Sequence, residues 1–210
     1  MNELTWRVLT GIAMIAVALG AAFAGGYAFA VLVAAVAAMM FVEWTRIVRG
    51  WGFHWVVAGF FYALIPALAM LWIRERADHS LILLLWVFIV TWSTDIGAYF
   101  AGRAIGGAKL APSISPNKTW AGLIGGMATA ALLGGLWAAN TGLPRMLLML
   151  APLFAVGAQT GDLFESGLKR RAGVKDSGTW LPGHGGALDR LDGLVVVAFL
   201  TALFAIWMRP

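Results

Sequence analysis

The sequence predicts an all-α, polytopic membrane bundle of about seven transmembrane helices, and three observations carry that expectation. Hydrophobic residues make up 61% of the chain and charged residues only 12%, with a mean hydropathy of +0.83, a balance foreign to a soluble domain. Several apolar runs approach the roughly 20 residues that carry a helix across a hydrocarbon core of about 30 Å. Glycine occurs 26 times, which allows close helix contact, while 11 Trp and 12 Phe suit membrane interfaces and packing between helices.

The spans are expected near 8–24, 27–42, 55–73, 81–101, 120–139, 146–163 and 191–208. The first resembles a secretory signal in length, but a second membrane-length run follows almost at once, so it reads as a retained span. Gly25 and Gly26 would turn a tight hairpin between the first two. Pro66 and Pro152 predict kinks, which a membrane helix tolerates because neighbouring groups satisfy the freed carbonyl. No internal repeat or linker breaks the chain. Residues 1–210 read as one integral membrane domain, with N-terminal spans to about 80 and the chemistry-bearing spans and loops from about 81 onward.

Charge then orients the bundle. Eleven Lys and Arg residues fall on the side of the N-terminus, against Arg74, Arg76, Arg145 and Arg209 opposite, and such a bias places the richer side in the cytoplasm. The net charge of +5 sits in short loops between spans, which fits membrane phosphates or an anionic substrate and argues against nucleic acid. With no cysteine, disulfides, thiolate chemistry and cysteine zinc sites are excluded. His54 and His79 stand alone and read as structural. Glu43, Arg46 and Arg49 are expected at an interfacial helix end, and the cluster from Arg74 to His79 as an outer loop.

The stretch from Gln159 to Asp192 holds five of the ten carboxylates and five of the fifteen Lys and Arg residues. Gln159, Asp162, Glu165, Ser166 and Lys169 recur at three- or four-residue steps, forming one polar stripe at the end of an apolar helix. Arg170, Arg171, Lys175 and Asp176 follow, then the turn from Pro182 to Gly186, then Asp189, Arg190 and Asp192. A plain solvated loop does not require carboxylates at the mouth of a hydrophobic helix, where desolvation costs several kcal/mol unless the charge is paired. A second stretch places Asp95 inside an apolar span and sets Ser115, Lys118 and Thr119 just before the next one. With about 1.5 Å of rise per residue, Asp95 lies about 21 Å along its span and Asp162 about 24 Å along its own, so both reach the cytoplasmic third, the depth at which Asp189 starts the last span; lateral proximity is left open.

The residues Ser166, Lys169 and Arg170, then Lys175 and Asp176, then the run from Leu181 through His184, Gly185 and Gly186 to Asp189, Arg190 and Asp192 resemble the signature of the phosphatidate cytidylyltransferases, the CDP-diacylglycerol synthases. Ala187 departs from it, standing where that family usually has a larger aliphatic residue. Ser115 to Trp120 is similar to a second motif of the same family, with departures at Asn117 and Ala121. The resemblance implies that CTP and phosphatidate, meeting at the lipid bilayer, give CDP-diacylglycerol and pyrophosphate. It also implies a division of roles. Asp162 and Asp189 would hold metal, with Asp95 a supporting acid. Lys169 and Lys175 would complete the catalytic set, while Lys118, Arg170 and Arg190 bind phosphates. Ser115, Thr119, Ser166, His184, Gly185 and Gly186 would complete the substrate site, with Asp176 and Asp192 partnering the basic residues.

Clustered carboxylates are hard oxygen ligands and favour Mg²⁺, which is usually held by one or two carboxylates plus substrate phosphates. A second metal or a monovalent cation remains open beside it. A homodimer packed through Gly-rich faces is a further expectation. The alternative is an ion- or proton-coupled transporter using Asp95 and Asp162, which would predict inverted repeats that the chain does not display clearly.

Overall fold

The structure is a computed structural model that describes residues 3–181, 183 and 185–208; His184, assigned above to the substrate, and Arg209 lie outside the described residues. Seven helices cross the bundle: α1 (Glu3–Ala24), α2 (Gly26–Ile47), α3 (Phe53–Arg74), α4 (Ser80–Ala104), α5 (Trp120–Thr141), α6 (Met146–Arg171) and α7 (Leu188–Trp207). All are long and apolar enough to span a membrane, and the chain is an integral membrane protein.

The expected hairpin forms at Gly25 and Gly26, whose φ angles of 64° and 50° lie in the left-handed region that glycine enters without steric cost. Arg74 crosses to this turn, donating through Nε to the Ala22 carbonyl at 2.7 Å and through Nη2 to Phe23 at 3.3 Å. A residue expected in an outer loop thus caps the carbonyls that α1 leaves open. Arg76 does the same for α7 through the Ala205 carbonyl, 3.2 Å away. One face of the bundle is fixed by these contacts, and Pro66 and Pro152 lie inside α3 and α6 as expected.

Two departures lie at the opposite face. Helix α6 runs past the expected boundary at 163 to Arg171, a length of 26 residues or about 39 Å, because its polar stripe stays helical beyond the apolar stretch. Between α4 and α5 the chain makes an antiparallel hairpin of β1 (Lys109–Ala111) and β2 (Ser115–Thr119), a feature outside the all-α expectation. Thr119 ends it as the N-cap of α5, its hydroxyl accepting from the Gly122 amide at 3.0 Å.

Helices α4 and α5 pack through small residues. A Cβ added to Gly97 would meet the Gly125 carbonyl at 2.7 Å as well as Thr129, and one added to Gly126 would meet the Thr94 carbonyl at 2.9 Å. These are backbone contacts that cannot yield by a rotamer change. Gly97→Val should therefore lower stability by about 1–3 kcal/mol or more, read as a reduced unfolding temperature in detergent. Buried Trp indoles are satisfied by carbonyls: Trp86 donates to Gly134 at 3.0 Å and Trp44 to Trp55 at 2.7 Å. Beneath the polar face, Met40, Trp44, Ile47, Leu168, Leu188 and Val195 form a compact apolar layer from α2, α6 and α7.

Candidate active site

The stripe on α6 is the spine of the site. Lys118, carried in by β2, places its ammonium 2.5 Å from Asp162 Oδ2 and 2.8 Å from Gln159 Oε1. Ser166, one turn along, donates to Asp162 Oδ1 at 3.2 Å. The next turn brings Lys169, whose ammonium lies 2.5 Å from Asp189 Oδ1 on α7 and 3.0 Å from Glu165 Oε1. Each of the two aspartates assigned to metal thus has a lysine ammonium against it.

Asp189 does a second job. Its Oδ2 accepts from the amides of Ser177 and Gly186 at 2.9 and 2.8 Å, and Ser177 Oγ lies 2.9 Å away. The carboxylate therefore ties the loop between α6 and α7 to the start of α7. Arg170 leans on the hairpin, donating to the Ile114 carbonyl at 3.3 Å. Arg171 stacks over Trp51 and Trp55 at 4.4 and 5.3 Å and pins the end of α6 to the connection before α3 and to the first turn of α3. Lys175 and Asp176 are exposed on the loop, and Arg190 is exposed at the first turn of α7.

Depth along the helices left lateral proximity open; the structure brings three spans together. Asp95 on α4 lies within electrostatic reach of Asp162, Lys118 and Arg190, and Asp192 on α7 within reach of Asp162, Glu165 and Asp95. Arg103 donates to the Tyr99 hydroxyl at 2.7 Å, so this cation has a partner other than Asp95. Asp192 sits among carboxylates, where the sequence suggests a partner for basic residues. Its three-residue spacing from Asp189 is the signal that puts both on the α6-facing side of α7.

Other assigned residues are placed more internally. Ser115 opens β2, half-buried, and Thr119 is buried as a helix cap. Gly185 has φ 83°, and a Cβ there would meet Asp189 Oδ2 at 2.9 Å; at Gly186 it would meet the Glu43 carboxylate at 2.6 Å. Both glycines make room for the protein's own carboxylates. Glu43 is itself the residue that the sequence reading misplaced. It lies one turn before the end of α2, where Arg46 and Arg49 are exposed as expected, but it is itself 0% exposed and packs against this loop.

Glu165 is buried; the Lys169 ammonium lies 3.0 Å from its Oε1, and among the described residues its Oε2 has no hydrogen-bond donor. That half-satisfied acid, together with two aspartates that already attract ammonium groups, provides hard oxygen donors of the type Mg²⁺ takes. Among the described residues no three acidic or His side chains form a metal cage by themselves.

A membrane bundle that gathers acids and lysines from separate spans at one face, beside apolar helices, has the build of an enzyme working on anionic substrates at a bilayer surface. The chain belongs to the cytidylyltransferase family, whose model matches residues 48–207. It is 46% identical over 213 residues to the phosphatidate cytidylyltransferase of Brucella suis, covering 98% of this chain and 73% of that protein. It is 34% identical over 206 residues to that of Rickettsia bellii, covering 94% and 88%. The Bacillus subtilis phosphatidate cytidylyltransferase is 46% identical over 140 residues, covering 63% of this chain and 52% of that protein. The chain is a CTP-dependent nucleotidyltransferase.

Proposed function

We propose that this enzyme forms CDP-diacylglycerol and pyrophosphate from CTP and phosphatidate, by metal-assisted in-line nucleotidyl transfer at the cytoplasmic face of a bacterial inner membrane. The observation that carries the reading is the pair of lysine–aspartate contacts, Lys118 with Asp162 and Lys169 with Asp189, each at 2.5 Å and joined along α6. An oxygen of the phosphatidate phosphate forms the new bond to the α-phosphorus of CTP. The bond from that phosphorus to the β-phosphate oxygen breaks, and its electron pair leaves with pyrophosphate.

Mg²⁺ held by Asp162 and Asp189 would supply charge neutralisation between the two anions and for the departing pyrophosphate. The lysines do the rest of the electrostatic work. Flexible stems let Lys118 and Lys169 turn from carboxylate to phosphate when substrate arrives, while Arg190, Lys175 and Arg170 border the same face. Asp95 and Asp192, within electrostatic reach of Asp162, stand beside it as supporting acids. The apolar layer below keeps water from the lipid side.

Purified protein supplied with labelled CTP, phosphatidate and Mg²⁺, with ATP and GTP as controls, should give a labelled lipid and pyrophosphate with CTP only. Label staying in the aqueous phase would overturn the reading. Chelation with EDTA should remove several kcal/mol of transition-state stabilisation, about 1000-fold in rate, and added Mg²⁺ should restore it. Turnover that persists through chelation would remove the metal from the mechanism.

A further inference from the structure

We infer that Glu43, on the N-terminal helix α2, is a positioning residue that clamps the catalytic loop and the start of α7; the inference rests on the function proposed above. Glu43 is fully buried and lies ahead of residues 48–207, the part matched by the family model. Its Oε1 accepts from the Ala187 amide at 2.9 Å and its Oε2 from the Leu188 amide at 2.8 Å. These are among the amides that a helix leaves open at its N-terminus, where a negative charge also complements the dipole. A buried carboxylate is costly unless it is hydrogen-bonded, and here the backbone of α7 supplies the bonds.

The clamp reaches the reacting groups through one hydroxyl. Ser177 Oγ lies 3.1 Å from Glu43 Oε2 and 2.9 Å from Asp189 Oδ2, and donates its single hydrogen to one or the other. Gly178 and Gly186 close the arrangement, since a Cβ on either would run into the Glu43 carboxylate. Thus Glu43 fixes the loop, the loop fixes Asp189, and Asp189 receives Lys169. The carboxylate touches neither substrate nor metal. It sets where those that do will stand.

Glu43→Gln tests this, because the amide fills the same space but turns an NH₂ toward a backbone N–H. The variant should elute from size exclusion as the parent does. Its kcat should fall by about 100-fold through misplacement of the reacting groups. Trypsin should cut after Arg171 or Lys175 about 10- to 100-fold faster, in proportion to the population of the opened loop. Cleavage at the parental rate overturns the clamp whatever the activity, and full activity with faster cleavage overturns its bearing on the reaction. If Glu43→Gln does not accumulate folded, Ser177→Ala decides: faster cleavage together with lower kcat supports the clamp, and a parental value for either overturns it. Should the parent itself make no lipid product, the proposed reaction fails while the tryptic comparison still reports on the loop.

Discussion

Asp162→Asn should lower the rate of pyrophosphate release by about 1000-fold, a loss of about 4 kcal/mol in transition-state stabilisation, while the protein still inserts and elutes normally. The amide has the size of the carboxylate and keeps an oxygen for Ser166, 3.2 Å away. What disappears is the charge that holds Lys118 at 2.5 Å and that would bind the metal. Lys118 keeps only Gln159 on this side. Asp189→Asn should be equally inactive for a mixed reason, since its Oδ2 also accepts from Ser177 and Gly186. An amide cannot meet the two backbone N–H donors there and the Lys169 ammonium on its other oxygen without placing its NH₂ against one of them. The two variants therefore separate: the first should keep its loop resistant to trypsin, and the second should not. An Asp162→Asn enzyme within about tenfold of the parent, under 1.4 kcal/mol, would remove Asp162 from the metal site.

The spans were legible because membrane solvation leaves a one-dimensional record. Each of the seven apolar runs became a helix, and Gly25 and Gly26 turned where expected. The end of α6 was misplaced because hydropathy falls at Gln159 while helical hydrogen bonding continues to Arg171. Polarity marks the edge of the lipid, not the end of a helix. Along one helix, spacing also set Asp162, Glu165, Ser166 and Lys169 on a common face. Contacts between distant segments left no such record. Nothing local in Glu43, Arg46 and Arg49 distinguishes a solvated helix end from a carboxylate buried under a loop 144 positions away. Gly178 and Gly186 hold the complementary half of that information, as positions without room for a Cβ, but only coordinates connect the two halves.

Gly161→Val should inactivate the enzyme by about 100-fold or more and destabilise it by about 1–3 kcal/mol, although the substitution alters no charged group. Gly161 immediately precedes Asp162, and a Cβ there would collide with the backbone carbonyl of Asp192 and come within 2.8 Å of Val196. Relief therefore requires α6 and α7 to separate beside Asp162 and Asp192, which lie within electrostatic reach of each other, and the contact of Lys169 with Asp189 spans the same seam. Gly167 on the same helix provides the control. A Cβ there meets nothing within 4 Å, so Gly167→Ala should keep full turnover and gain about 0.5–1 kcal/mol from helix propensity. Turnover and unfolding temperature measured on both variants discriminate between causes. If Gly161→Val lost stability but kept its rate, the spacing of α6 and α7 would not govern the chemistry; if Gly167→Ala were equally inactive, tight packing at Gly161 would not be the reason.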